Sequence, residues 1–465
     1  MALHLTQHYL QCLSHASYLV ADTESRIAAV VDPQRDISAY LDEAKEHGFT
    51  IRYVIETHFH ADFLSGHLEL AEATGATIVF GAAASGRTDF PIDARSHGSV
   101  IVLGDSDRHA RLEILETPGH TPESISVVVR PDVSATPYAV FTGDTLFIGD
   151  VGRPDLLAAV GQTAEDLGRM LYHSLHEKLL TLPDSTLVYP AHGAGSSCGK
   201  NLSTNTVSTI GEQRSTNYAL APMTEDRFVA AVTEGQSTAP MYFLHAAVTN
   251  RKARDTFDED APLTALSMSD VLAARAEGAA ILDSRDDGDF ALGHLRGSIN
   301  VGLGGRFAEY AGEVVTAGTP IVIVAEPGRE REATTRLARI GFDTVVGYLD
   351  DPVRSFLENP GEVATASRLT AHEFSARRDE IRGLQLVDVR NPGEFKLGSI
   401  PDARHIELAG LTRRLDELDP HRPTVVFCAG GYRSSIAAST LRANGFDDVS
   451  DILGGYNAWA ALVDA

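Results

Sequence analysis

The chain has 465 residues, 43% of them hydrophobic and 22% charged, with a formal net charge of −25. That length calls for two to four domains, each able to bury a core of its own. The acidic balance, with no basic cluster to offset it, excludes nucleic acid and anionic lipid as natural partners. Three cysteines, Cys12, Cys198 and Cys428, are too few and too odd for a disulfide framework. They fit a reducing, cytoplasmic compartment where thiols stay free to react. The start MALHLTQHYLQC lacks the basic and apolar run of a signal peptide. No later stretch of about 18 apolar residues is there to span a bilayer, so no membrane partner is expected.

From residue 1 to about 220, short β-branched runs alternate with Gly-rich or His-rich turns. RIAAVVDP, IRYVIETH, ATIVFG and YAVFTGD read as buried strands, and three of them run directly into His or Asp. Strand ends that deliver such groups into loops are where α/β folds place their chemistry. DLGRMLYHSLHEKLLTL has apolar residues at helical spacing and reads as an amphipathic helix. Cys12 falls in a strand-like stretch and reads as packing. PMTEDRFVAAV reads as helical and RKARDTFDEDAP as a charged linker.

After about residue 262 the chain repeats itself. LDSRDDGDFALGHLRGSINV pairs with VDVRNPGEFKLGSIPDARHI, placing Asp283 opposite Asp388 and Arg285 opposite Arg390, 105 positions apart. IVIVAEPGREREATTRLARIGFDTVV then pairs with TVVFCAGGYRSSIAASTLRANGFDDVS at a spacing of 104. Two copies of about 100 residues, strand–turn–helix in character, predict a tandem of small α/β domains.

The strongest chemical signal is ETHFHADFLSGH, followed by TPGHTPES, FTGDTLF and YPAHGAGSSCG. These motifs bring His58, His60, Asp62, His120, Asp144 and His192 to strand-end turns, where imidazoles and carboxylates can converge on one borderline metal ion. In this order the motifs resemble those of the metallo-β-lactamase superfamily. Hydrolases of that superfamily carry H-x-H-x-D-H, whose last Asp and His hold a second metal. Here the final His position is Phe63, which leaves only Asp62 and His192 as donors and implies a mononuclear centre.

Among mononuclear members the resemblance is to persulfide dioxygenases, and it implies one Fe(II) per chain held by His58, His120 and Asp144. Two His and one carboxylate leave open positions for dioxygen and a substrate sulfur. His60 and Asp62 are then expected to orient ligands, with His60 a possible fourth ligand, and His192 to orient ligands or substrate. The turn DVGRPDL resembles a segment of the same branch. Its Arg153 is a candidate for a substrate carboxylate, or for an ion pair with Asp150 or Asp155. Cys198, six residues after His192, is either a small buried hydrophobe or a catalytic thiol handling sulfane sulfur.

TVVFCAGGYRSS carries the second signal. Four apolar residues form a strand, Cys428 starts the turn, Gly430 and Gly431 free backbone amides for an anion, and Arg433 opens a helix. Amides and helix N-terminus favour the thiolate nucleophile and can cradle a persulfide or a thiosulfate sulfonate. With VDVRNPGEF before it and GGYNAWA after it, the loop resembles that of a rhodanese domain. The six-residue span suits sulfur rather than phosphate. Arg390 is expected to pair with Asp388 as part of the fold. In the first copy the 104-residue spacing sets Val324 opposite Cys428, and VAEPGRE offers no nucleophile, so this copy is expected to be inactive.

The expected architecture is α/β multidomain: an αββα metallo-β-lactamase-like sandwich over residues 1–250, with an extension from about 222, then an inactive rhodanese-like domain at 262–357 and an active one at 365–465. The expected activity is persulfide oxidation to sulfite plus thiol, coupled to rhodanese transfer with sulfite or thiosulfate. Expected partners are a small-molecule persulfide, dioxygen and these sulfur anions, with a homo-oligomer implied by relatives of the fold class. The alternatives are a glyoxalase II-like zinc thioester hydrolase and a non-enzymatic sulfur relay.

Overall fold

The structure is a computed structural model describing residues 2–156 and 161–463. It divides into two compact units, Met1–Gln236 with Phe243–Asp258, and Ser237–Tyr242 with Glu259–Ala465.

The first unit contains two six-stranded sheets. One runs, in spatial order, Leu3–Leu10, His15–Asp22, Ile27–Val31, Thr50–Ile55, Thr77–Gly81 and Asp93–Arg95. The other runs Ser208–Thr209, Leu187–Pro190, Ala139–Gly143, Ile125–Arg130, Arg111–Glu116 and Val100–Val102. Alternation along each strand sorts its side chains between layers. Ala29 and Val31 join Tyr18, Val127 and Phe141 in a core between the sheets. Ala28 and Val30 face the other way, against Tyr40 and Ala44 of helix Ser38–His47 and Leu70 of helix His67–Thr74. Behind the second sheet, Val128, Val140 and Val188 pack on Leu171 and Leu175 of helix Ala164–Glu177 and Phe228 of helix Glu225–Thr233. Helix, sheet, sheet and helix thus form the αββα sandwich. The helix read from DLGRMLYHSLHEKLLTL begins where the Thr163 side chain accepts from the Asp166 amide.

The second unit holds two five-stranded parallel sheets of identical strand order. In the first copy they run Ala265–Leu266, Val345–Leu349, Ile321–Val324, Ala280–Asp283, Ile299–Asn300. In the second they run Ser367–Thr370, Val449–Leu453, Thr424–Phe427, Gln385–Asp388, Arg404–His405. Each copy carries the same internal strut. Arg285 pairs with Asp283 and reaches the Gly293 carbonyl, and Arg390 pairs with Asp388 and reaches that of Gly398. Arg390 is therefore part of the fold, as its motif predicted.

Three expectations need correction. Strand pairing sets Asp283 beside Val324 and Asp388 beside Phe427, so Ala325, not Val324, stands opposite Cys428. One fixed spacing cannot run through both copies, because their connections differ in length. Cys12 lies in a 3-10 turn, Gln11–Leu13, rather than in a strand. The supposed linker RKAR is docked on the first unit, where Arg254 pairs with Glu69 and donates to the Ser65 carbonyl. Among the described residues no helix is long and apolar enough to cross a membrane.

Candidate metal centre and cysteine loop

Every group of the predicted metal cluster leaves the end of a strand of the first unit. His58 follows Thr50–Ile55, His120 follows Arg111–Glu116, Asp144 follows Ala139–Gly143 and His192 follows Leu187–Pro190. Gly143 turns the chain with φ +50°, and a Cβ there would lie 2.6 Å from Thr57 Oγ1. Glycine is thus needed both for the left-handed turn and for the close approach to the residue that orients His58.

His58, His120 and Asp144 are buried and their ligand atoms lie within 4.8 Å of one another. Asp144 Oδ2 is 3.4 Å from His120 Nε2 and 4.0 Å from His58 Nε2, and Asp144 Oδ1 is 3.4 Å from His192 Nε2. The hydrogen bonds behind the rings fix which nitrogen carries the proton. Thr57 Oγ1 donates to Asp32 Oδ2 at 2.9 Å and so accepts from His58 Nδ1 at 3.0 Å. His120 Nδ1 donates to the Arg153 carbonyl at 2.9 Å, and His192 Nδ1 to that of Ser14 at 3.2 Å. All three rings therefore present bare Nε2 lone pairs toward the carboxylate.

Burial, together with the neighbouring imidazoles, holds His58 well below the usual histidine range, and burial lowers His120 to about 4. Burial pushes Asp144 up to about 6. Neutral imidazoles facing a carboxylate, with His58 Nε2, His192 Nε2 and both Asp144 oxygens lacking any hydrogen-bond partner, form a convergent set of buried lone pairs that a single cation would satisfy together. The residues present fit a metal ion.

The remaining predicted residues fall around this group. His60 directs its Nε2 to Asp32 at 3.0 Å and Glu56 at 3.5 Å, while its ring lies 4.1 Å from that of His58 and its buried Nδ1 has no hydrogen-bond partner. Burial alone would lower the His60 imidazole, but Asp32, Glu56 and Asp62 outweigh it and raise it to about 9. Asp62 Oδ2 lies 3.2 Å from His192 Nε2. The Cys198 thiol joins Asp62 and His192 in a second buried cluster, a third donor that spacing alone did not reveal. Burial, then Asp62 and Asp144, pushes this thiol well up, which favours its protonated form. Arg153 is buried, and its guanidinium makes a two-point pair with Asp155 at 2.6 and 2.7 Å. Phe63 is buried with its ring 3.9 Å from that of His15 and 4.3 Å from that of His60.

Several residues of the site were not singled out from sequence. Asp32 ends the run RIAAVVDP and binds Thr57 and His60, so its strand-end position was a usable signal. Asn250 had none. Its side-chain amide donates to the carbonyls of His60 and Phe63 and accepts from the Ser65 amide, clamping the metal loop from nearly 190 residues away.

In the second unit Cys428 follows strand Thr424–Phe427 and is buried. The Gly431 amide donates to its Sγ at 3.1 Å, and Ser434 Oγ lies 3.6 Å away. Gly430 is exposed in the same loop. Arg433 makes a two-point pair with Glu394 at 2.7 and 2.8 Å, and that pairing, after the opposing effect of burial, holds Glu394 below the usual carboxylate range.

A metallo-beta-lactamase superfamily model matches residues 10–192, and a rhodanese-like domain model matches twice, at 267–358 and 370–462. The chain is 34% identical over 218 residues to mitochondrial persulfide dioxygenase ETHE1 of Bos taurus, a match covering 45% of this chain and 73% of that protein. The chain belongs to the ETHE1 persulfide dioxygenase family of the metallo-beta-lactamase superfamily, carrying two rhodanese-like domains. A hydroxyacylglutathione hydrolase from Polaromonas sp. (strain JS666 / ATCC BAA-500) is also 34% identical, over 38% of this chain and 61% of its own length. A solved metallo-beta-lactamase structure from Staphylococcus aureus subsp. aureus COL is 31% identical with a TM-score of 0.67, covering 75% of this chain and 99% of its own.

Within this site, Phe63 is the residue that tests metal count. Phe63→His is expected to raise bound zinc from about one to about two ions per chain by elemental analysis, because it restores an imidazole directly after Asp62, which clusters with His192 and Cys198. Unchanged stoichiometry would mean that the ring is not what limits the second site.

Proposed function

We propose that the N-terminal domain is a non-haem Fe(II) dioxygenase that oxidises a low-molecular-weight thiol persulfide, and that Cys428 couples this to sulfur transfer in sulfide detoxification. The observation that carries the reading is the set of proton-free donors, His58, His120 and Asp144, in a family of persulfide dioxygenases. One Fe(II) held there would supply a redox centre at which dioxygen and the substrate sulfur meet. The overall conversion is balanced: persulfide, dioxygen and one water give sulfite, the free thiol and protons.

The chain's own groups act around that exchange. Thr57, the Arg153 carbonyl and the Ser14 carbonyl keep the three Nε2 atoms free of protons and the rings fixed in direction. Asp62 and His192 face the same space with His192 oriented by Ser14, and are placed to position the substrate or a water. The buried Phe63 ring, packed against His15 and His60, keeps bulk water from that side. A substrate carboxylate could engage Arg153 only by exchange with Asp155.

In the rhodanese step the Cys428 thiolate attacks the outer sulfur of a persulfide or thiosulfate. The S–S bond breaks, the thiol or sulfite leaves, and Cys428 holds the persulfide against the Gly431 amide. Attack by sulfite on that outer sulfur regenerates the thiolate and releases thiosulfate. Ala325 at the matching position of the first copy can do none of this. Free thiols and the soluble sulfur substrates suit a cytoplasmic setting.

The test is oxygen uptake by anaerobically iron-loaded protein on addition of glutathione persulfide, with zinc-loaded protein as control. Uptake with iron alone, with sulfite or thiosulfate accumulating, is the expected result. No uptake in either form, with thioester cleavage by the zinc form, would replace this reading with that of a hydrolase.

A further inference from the structure

The first rhodanese-like domain has lost its nucleophile yet keeps an ordered turn, Gly302–Gly305, that meets the cysteine loop of the second. The loop is held from two sides. Its first half is fixed within its own domain, where the Tyr456 amide donates to the Cys428 carbonyl at 2.7 Å and the Asn457 amide to that of Ala429 at 3.1 Å. Its second half ends at Gly431, whose amide touches Cys428 Sγ, and the next residue, Tyr432, reaches out of the domain. The Tyr432 hydroxyl donates to the Gly302 carbonyl at 2.5 Å. Its ring lies against Gly305, where a Cβ would come within 2.6 Å of Tyr432 Cζ, and beside Tyr310 at 5.6 Å between centroids.

The receiving turn is itself rigid. The buried Arg336 guanidinium donates to the Leu303 carbonyl at 2.6 Å and the Gly305 carbonyl at 2.5 Å, and the Leu303 amide donates to Ser284. A second tie lies further along the helix Tyr432–Ala443, where Ser439 Oγ accepts from the Asn300 amide at 2.9 Å. The helix that begins at Tyr432 is thus anchored to the first domain at two points, and the Gly431 amide moves with it.

We propose that Tyr432 is a positioning residue for sulfur transfer, and that the nucleophile-free domain serves as the brace against which it sets the Cys428 loop. The inference rests on the sulfurtransferase reading of Cys428. A displacement of about 1 Å between nucleophile and stabilising donor can cost on the order of 100-fold in rate, so a brace of this kind acts on turnover.

The experiment is steady-state transfer of sulfur from thiosulfate to cyanide by the full chain, read as thiocyanate. Tyr432→Ala is expected to lower kcat on the order of 10- to 100-fold, with KM for thiosulfate within about threefold. Tyr432→Phe, which keeps the ring, should recover most of that loss. Gly305→Ala, placed in the domain without a nucleophile, should lower kcat in the same way, because the added methyl pushes the Tyr432 ring out. Thermal unfolding and oxygen uptake serve as controls for folding. Wild-type kcat in both Tyr432→Ala and Gly305→Ala overturns the inference. Loss in Tyr432→Ala with Gly305→Ala unaffected also overturns it, since the effect would then lie within the second domain. No transfer by the unaltered chain overturns the sulfurtransferase reading, and this inference with it.

Discussion

Asp144→Asn is expected to strip the first unit of its metal and take persulfide-dependent oxygen uptake down to background. Asp144 is the anionic member of the cluster and faces three imidazoles, with Oδ2 toward His120 and His58 and Oδ1 toward His192. Asparagine keeps the shape but replaces one oxygen by an N–H donor. That donor satisfies an imidazole Nε2 which otherwise has no partner, so the empty protein gains a hydrogen bond as the metal site is lost. Loss of a residue that merely orients a ligand costs about 10- to 100-fold in metal affinity, and loss of the carboxylate itself should exceed that. The check is iron content after anaerobic loading, alongside oxygen uptake and thermal unfolding of the metal-free form. Full iron content with wild-type uptake would remove Asp144 from the ligand set.

Cys428→Ser is expected to reduce thiosulfate-to-cyanide sulfur transfer at least about a thousandfold while oxygen uptake stays within about twofold. Serine preserves the volume of a buried side chain and leaves the Gly431 amide an acceptor, so the loop retains its shape. The alkoxide is unavailable at neutral pH, and an oxygen cannot carry the transferred sulfur as a persulfide. The metal-centre residues belong to the first unit and Cys428 to the second. Loss of both activities together would contradict two chemically separate centres. Persistent transfer would move the nucleophile to Cys12 or Cys198.

How far the sequence reaches differs between the two centres. The metal cluster was legible because each donor sits in a short motif at the end of a strand, and strands of a parallel or mixed sheet bring their ends together. The cysteine loop was legible for a similar reason, since a strand, a glycine pair and a helix start occupy one short run of sequence. The supporting residues were harder to read. Asn250 holds the metal loop from a segment that looked like the approach to a linker, and no local pattern marks an amide destined for burial. Cys198 could be placed near His192 by spacing, but its closeness to Asp62 comes from loops converging in space. The spacing of 104 misassigned Val324 because a repeat offset assumes equal connections, whereas strand pairing puts Ala325 there.

Composition, alternation and motif order by themselves determined the α/β character, the sandwich followed by two repeated domains, the candidate metal donors and the one cysteine that the repeats carry. These are properties of local sequence, fixed by the period of strands and helices and by the chemistry of each side chain. Only the tertiary structure decided which nitrogen of each histidine is bare, that His60 turns toward Asp32 and Glu56, and that Tyr432 reaches into the neighbouring domain. Most of those depend on hydrogen bonds and contacts between residues tens to hundreds of positions apart, which are set when whole elements pack and leave no periodic trace in the chain.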